Sequence, residues 1–503
     1  MQKTDVLIIG SGIAGLSLAM KIAQKRPDLV VTVMTKGKAD NTNTKLAQGG
    51  IAVVTNLFND SFERHIQDTL ASGGGICDEK IVEMVVRQAP ERLKELLEIG
   101  ASFDKGHSGS WDLGLEGGHS RNRILHHKDT SGWEIENRLL ETIRQLDNVV
   151  LLENHLVIDL NTENEGDGSY CSGAFYFDKN NNCIKYIRAK TIALSTGGCG
   201  QVFQNTTNPD IATGDGIAIA SRAGSIIEDM QYIQFHPTAL YETEKNPYFL
   251  ISEAVRGFGA HIVNEDEKRF VFKYDIRGEL ATRDIVSQAI GKELEISGKK
   301  HVYLDCRHLD FTAFYKHFPA ITEHCINIGI HPEKELIPIV PVAHYQCGGI
   351  KVDKNGATNI QNLYAIGECS RTGLHGKNRL ASNSLLEALV FAHQASKNIL
   401  NTIDRISFSA KFFIPKGTEN IGNIHPEFIS SAKAELKRIM TSFFTHSDNA
   451  DSKAFERVEK LKKQTSIFIE RQSITTALIE LTNMLTVASI ILEHSNNSIL
   501  SEI

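Results

Sequence analysis

The chain is short of cysteine pairs. Its eight cysteines, from Cys77 to Cys369, are scattered and include no C-x-x-C spacing. That removes the usual sequence signs of an iron–sulfur cluster or a structural zinc site, so no metal is expected. Reduced, mostly buried thiols are the expectation instead. There is also no surplus of positive charge. Lys and Arg number 54 against 61 Asp and Glu, for a net charge of −7. Such a balance does not favour nucleic acid as a partner. No apolar run approaches the roughly 20 residues that span a bilayer, so no membrane association is expected. The N-terminus has no basic stretch ahead of a cleavable apolar one. Its apolar run, Val6 to Ile9, reads as a buried strand, which makes the cytoplasm the expected location. Internal repeats and low-complexity segments are absent as well.

What remains is an ordinary globular composition, 41% hydrophobic and 23% charged, in 503 residues. That length is enough for more than one domain. The opening reads β-α-β: a strand at 5–9, a glycine turn, a helix at 16–24 and a second strand at 29–34. This order predicts a parallel sheet with a right-handed crossover. Amphipathic helices follow near 61–72 and 78–98. The segment 101–130 is rich in Gly, His and Arg without periodicity, and a loop that long is usually functional. Strands alternate over 149–194, with polar hairpin tips at 162–168 and 178–183. Between about 230 and 345 the pattern changes to mixed helices and short strands, as for an inserted domain. The sheet pattern returns at 361–367, ahead of a helix at 382–400. Amphipathic helices at 428–445, 452–471 and 474–494 read as a small bundle with charged outer faces.

The turn Gly10-Ser11-Gly12-Ile13-Ala14-Gly15 fits G-x-G-x-x-G in its proper place, after a strand and opening a helix. Gly10 allows the tight turn, Gly12 the approach of a pyrophosphate to the backbone, and Gly15 close packing of helix on strand. The acidic residue expected about 20 positions on is missing. The strand ends in Thr35-Lys36-Gly37, so Lys36 is expected to meet phosphate or ribose. A second dense region runs from His344 to Leu385, where a histidine and an arginine bracket a strand, a Gly-Glu turn and a helix start.

In order along the chain stand KLAQGGIAVV, LEGGHSRNRI, STGGCG, TGDGIAIA, IQFHPTALY, RGELATRDIV, AHYQCGGI and GLHGKNRLASNSLLEALVFA. Together they resemble the flavoprotein superfamily of succinate dehydrogenase, fumarate reductase and L-aspartate oxidase, from about residue 3 to about 400. The resemblance implies an α/β fold: a Rossmann-like FAD-binding domain over 1–235 and 346–415, an inserted α+β capping domain over 236–345, and a C-terminal helical domain over 416–503. It implies FAD as cofactor, held by the glycine turn, Lys36, the loop Asn43-Thr44-Lys45-Leu46-Ala47-Gln48-Gly49-Gly50, Asp215, Glu368, and Ser384 and Leu385 at a helix start. The respiratory members bind flavin covalently through a histidine five residues before the Gln of AQGG. That position here is Asn43, which implies non-covalent FAD.

Glu116, before Gly-Gly-His-Ser, is similar to the aspartate-oxidising branch, where this acid orients the substrate amino group. The implied reaction is oxidation of L-aspartate to iminoaspartate, with O2 (giving hydrogen peroxide) or fumarate as acceptor. It is the first step of de novo NAD biosynthesis, with quinolinate synthase as a possible transient partner. Arg379, His344 and His236 are implied to clamp the carboxylates. Planar arginine suits this because it binds carboxylate in bidentate fashion. Ser252 takes the place of the usual threonine hydroxyl, Gln234 is placed near the flavin face, and Arg283 matches the proton-transferring arginine. Phe258 stands where the superfamily usually has Glu. His119, His126 and His127 read as loop hydrogen-bonders, and Arg121 and Arg123 as loop-ordering ion pairs. The alternatives are a soluble fumarate reductase and a non-catalytic flavin-binding or subunit-docking protein.

Overall fold

The computed structural model describes residues 2–106, 109–165, 168–242, 245–411, 426–445, 453–470 and 474–501. Its main sheet has seven strands. In spatial order they are Val149–Leu152, Val31–Met34, Gln2–Ile9, Cys183–Leu194, Gly168–Asp178 and His155–Glu165, with Leu363–Ala365 also pairing with Cys183–Leu194. The strands around Gln2–Ile9 are parallel, as the opening pattern predicts. The long hairpin strands are antiparallel. The expected hairpin tip at 162–168 is narrower than its polar composition suggests, because pairing reaches Glu165 and Gly168; residues 166–167 lie outside the described ones.

The first strand explains its continuous apolar run. Alternate side chains point to opposite faces. Val6 and Ile8 enter one core with the helices Ile13–Lys25 and Asn383–Thr402. Leu7 and Ile9 enter a second core on the other face. Burial on both faces leaves no polar position over Val6–Ile9, and each such side chain contributes about 1.5–3 kcal/mol. At the strand's end Gly10 has φ +112°, and a Cβ there would lie 2.1 Å from the Ser195 carbonyl oxygen, so only glycine fits. A Cβ on Gly15 would lie 2.2 Å from the Gly10 oxygen, the close helix–strand approach expected of it. The helix Ser131–Arg144, whose buried face is led by Ile135, Leu139 and Ile143, had no counterpart in the sequence pattern.

The second core of interest lies within residues 240–339. Chain enters it along Ile233–Leu240 and leaves along Ile337–Gln346. These two strands pair antiparallel at the edge of a four-stranded sheet completed by Val302–Asp305 and His261–Val263. His236 is opposite Val342 in that ladder, two residues from His344. The chain's crossing point thus brings both histidines together. Phe258 packs with Phe314, His317 and Phe318, an apolar cluster that accounts for the absence of a charge there.

The last helices, Pro426–Thr445, Ala454–Glu470 and Thr476–Ser501, pack on one another as the expected bundle, and the bundle lies against the sheet. Leu436, Met440, Leu481, Leu485 and Ile491 join Leu7 and Ile9 in the core on the sheet's second face. The expected ends 452 and 471, and the boundary at 415/416, lie outside the described residues. One correction to the expected lack of apolar runs arises here. Among the described residues Thr476–Asn497, 22 residues of mean hydropathy 1.4, is long and apolar enough to cross a membrane. Two-thirds of it is buried against the protein, which accounts for its composition.

Candidate active site

A cleft of about 400 Å³ runs between the carboxyl ends of the parallel strands and the sheet that holds His236. At one end it is lined by Met34, Thr35 and Lys36. Next come the Gly10–Ala14 turn and the Asn43–Gly50 loop, and at the far end Glu116, Ser252, Arg283, His344 and Arg379. Crevices at strand carboxyl ends are where ligands bind in open α/β sheets. The helix Ile13–Lys25 has Gly12 at its N-cap; the Ile13 N–H donates to Thr44 Oγ1 at 3.1 Å, and the N–H groups that follow in the first turn are presented to the cleft. The helix Asn383–Thr402 likewise opens at the cleft, with Ser384 and Leu385 in its first turn and Ser382 at its N-cap with φ +59°. Among the buried atoms of cleft-lining residues without a hydrogen-bond partner among the described residues are Gln48 Oε1, His236 Nε2 and Arg379 Nε. A polar ligand would satisfy them.

The far end is a balanced cluster of charge. Arg283 donates through Nε to Glu253 Oε2 at 2.6 Å and through Nη1 to Gln234 Oε1 at 2.9 Å. Arg256 Nη2 lies 2.9 Å from the other Glu253 oxygen. Burial pushes Glu253 up, but the charges of Arg256 and Arg283 outweigh it and hold its carboxyl below the ordinary range. Arg379 donates from Nη1 to Ser384 Oγ at 2.9 Å, and its guanidinium lies 4.1 Å from the centre of the Tyr345 ring. Burial, with the charge of Arg283 added, lowers Arg379 to about 10. The rings of His236 and His344 are 5.0 Å apart. Burial and the nearby arginines push both well below 6.5, so both imidazoles are neutral. His344 Nδ1 is 2.7 Å from Thr207 Oγ1, and His236 Nδ1 accepts from the Thr238 N–H at 3.2 Å.

Glu116 is 2% exposed, and its Oε2 accepts from Ser382 Oγ at 2.5 Å. Burial raises its pKa and the charge of Glu253 raises it further. Glu368 accepts from the Gln346 N–H at 3.2 Å and from Asn43 Nδ2 at 3.3 Å, and burial pushes it up to about 7. Ser252 caps the helix Glu253–Gly257 through a bond from the Ala254 N–H, with its residue on the cleft wall.

Several expected site residues fall elsewhere. Lys36 lines the cleft, but its ammonium is not offered to a phosphate. It donates to Thr213 at 2.6 Å, to Asp215 at 2.8 Å and to Glu480, on the last helix, at 3.2 Å. Asp215 is committed in the same way, and also accepts from Asn483 at 2.8 Å. Gln234 does not reach the cleft wall; its amide donates to Asn378 and to the Arg379 carbonyl at 2.7 Å each, which joins Arg283 to Arg379. Lys45 faces away, paired with Asp40 at 2.7 Å. In the 101–130 loop, Arg123 pairs with Asp60 and Asp68, and His119 bonds the Ala381 carbonyl and Arg123. Arg121 donates to the Ser120 carbonyl rather than to an acid. Glu253 went unread in the sequence, although its i,i+3 spacing to Arg256 on a short helix was a usable sign.

A network supports Arg379 from below. Tyr345 Oη donates to Glu387 at 3.1 Å, and Glu387 is also bonded by His375 at 3.0 Å and Thr372 at 2.5 Å. All four are buried.

Comparison with known proteins adds the following. Residues 5–385 match the family model described as FAD binding domain. The chain is 40% identical to L-aspartate oxidase of Vibrio cholerae over 500 residues, covering 97% of this chain and 92% of that one. It is 39% identical to L-aspartate oxidase of Yersinia pestis, covering 97% and 92%. Among solved structures, a mutant form of E. coli quinol fumarate reductase FrdA superposes with a TM-score of 0.86 at 29% identity, covering 98% of this chain and 89% of that one.

Proposed function

This chain belongs to the L-aspartate oxidase family of FAD-binding proteins, and on that premise we propose that its cleft binds FAD and oxidises L-aspartate to iminoaspartate, the first step of de novo NAD biosynthesis. The observation that carries the reading is the charge pattern at the cleft's far end. Arg283 and Arg379 can offset two carboxylates, and Glu116 stands beside them as a buried acid. L-aspartate presents two carboxylates and one ammonium, whereas succinate brings no cation to Glu116.

The residues present suit FAD. The N–H groups of the Ile13–Lys25 helix that follow Ile13 fit a pyrophosphate, and the cleft that continues from them has room for more of the cofactor. Gly10–Ala14, the Asn43–Gly50 loop and Glu368 would hold it, with Ser384 and Leu385 at a helix N-terminus suited to negative charge. Lys36 and Asp215 would act as a neutral ion pair beside it. Asn43, an amide bonded to Glu368, supports non-covalent binding. FAD supplies the hydride acceptor.

The protein's part is to bind, orient and handle protons. Arg379, with neutral His236 and His344 as donors, holds one carboxylate, and Arg283 faces the other. Glu116 in its ionised form takes the ammonium and fixes which face of Cα is presented. Arg283, bonded to Glu253 and through it to Arg256, offers a buried route for a proton. Overall, L-aspartate and O2 give iminoaspartate and hydrogen peroxide. Fumarate, similar in shape and charge to the substrate, is the alternative acceptor. Iminoaspartate is short-lived in water, which supports transfer to quinolinate synthase. A cytoplasmic setting is part of the same proposal.

The test is an aerobic assay of the purified holoenzyme with L-aspartate, D-aspartate and succinate. Peroxide released with L-aspartate alone is expected. Reduction of fumarate without any peroxide from L-aspartate would make the protein a fumarate reductase instead.

A further inference from the structure

Outside the cleft, Asp112, His126 and His317 bring one ligand atom each to within 4.8 Å of one another. They come from three places. Asp112 and His126 are opposite each other one step beyond the short ladder that pairs Leu113 with Leu125 and Gly114 with Ile124. Residues opposed in this way project to the same face. His317 ends the helix Phe311–His317, and its Nδ1 is 4.0 Å from Asp112 Oδ2. We propose that these three side chains form a divalent-cation site, of a kind that takes zinc, tying the loop that carries Glu116 to the inserted segment.

The chemistry of the donors favours this class of ion. Two imidazoles and one carboxylate suit zinc, which takes ligands at about 2.0–2.2 Å in tetrahedral array and leaves a fourth position for water. Two such ligands stand about 3.4 Å apart, so small side-chain rotations close the present separation. His126 also has the orienting partner that metal-binding histidines usually have. Its Nδ1 is 3.2 Å from Asp104 Oδ2, which leaves Nε2 for the cation. Asp104 is itself fixed by the Lys128 N–H at 2.6 Å. The ring of Phe258 lies 5.3 Å from that of His317 and braces it on its apolar side. All three ligands are partly exposed, which gives a cation access from solvent.

A bound ion would have a mechanical consequence. Asp112 and His126 flank Glu116 on the 101–130 loop, and His317 ends a helix whose Phe314 lies in the core of residues 240–339. The ion would therefore tie the loop that carries Glu116 to the core of residues 240–339.

The test uses FAD-loaded enzyme, stripped with a chelator and then freed of it, titrated calorimetrically with Zn2+. One saturable site per chain is expected, with thermal stabilisation that grows with zinc concentration. His317→Gln and Asp112→Asn, both at partly exposed positions, are each expected to weaken binding at least tenfold and to abolish the stabilisation. Flavin content reports whether each variant is folded. Absence of saturable zinc binding, or binding unchanged in both variants, would overturn the proposal. Because the readout is binding rather than turnover, it stands or falls independently of the aspartate assignment.

Discussion

The Arg379 guanidinium rests over the face of Tyr345, 4.1 Å from its ring centre, while the Tyr345 hydroxyl is tied to Glu387. A buried cation–π contact of this sort is worth about 2 kcal/mol, and here it also aims the guanidinium. Tyr345→Leu is therefore expected to raise KM for the dicarboxylate about 30-fold, with a smaller loss in kcat. Tyr345→Phe keeps the ring and should recover most of that affinity. Steady-state kinetics of both variants check this, and equal losses would mean that the hydroxyl network matters more than the ring.

Glu116 governs the acid side of the pH profile. Its pKa is raised by burial and by Glu253, so in the free enzyme it takes up a proton at a higher pH than an ordinary carboxyl. Only the ionised form pairs with the substrate ammonium. kcat/KM for L-aspartate should thus fall as pH drops through this raised value. Glu116→Gln should remove that acid limb and lower kcat/KM for L-aspartate about 10- to 100-fold, the worth of a hydrogen bond to a charged group. Fumarate reduction should fall much less. Parallel losses in both reactions would contradict the amine-binding role.

Lys36 serves the fold. Burial alone would lower its pKa, but Asp215 and Glu480 outweigh burial and raise it. Asp215, pushed up by burial, is held below the ordinary range by Lys36. Lys36→Met leaves the buried Asp215 without a charge partner, while Glu480 keeps Lys433 at 3.2 Å, and should cost about 3–5 kcal/mol in denaturant unfolding at neutral pH. The sign with pH follows from Asp215. Its contribution is present above the unfolded carboxylate pKa, about 3.9, and is lost as pH falls through its depressed folded value.

Asn43 is an amide bonded to Glu368, and the proposed function holds FAD without a covalent bond. Acid precipitation should leave all the flavin in the supernatant, and a denaturing gel should show no fluorescent band. Flavin that stays with the protein would contradict this.

Local features of the fold and site were legible in the sequence, and relationships at a distance were not. The Gly10–Gly15 turn could be read because its glycines answer to contacts only a few residues or one strand away. The pairing of His236 with His344 depends on two strands about a hundred residues apart lying side by side, which only motif resemblance could suggest. Lys36 was read as an anion contact because the sequence does not show that Glu480, on the last helix, comes back to meet it. The amphipathic pattern of the C-terminal helices was enough to read a bundle, but not that the bundle covers the sheet's second face. Sequence order did not show that Gln234 lies behind the cleft lining, bonded to Asn378, Arg283 and the Arg379 carbonyl. The Asp112, His126 and His317 group has no spacing signature at all, because its members meet only in the folded chain.

The account rests on the cleft's choice of an amino dicarboxylate, and anaerobic titration of the FAD-loaded enzyme tests it most directly. L-aspartate should bleach the flavin absorbance, while D-aspartate and succinate should leave it unchanged. Bleaching by succinate and not by L-aspartate would contradict the account.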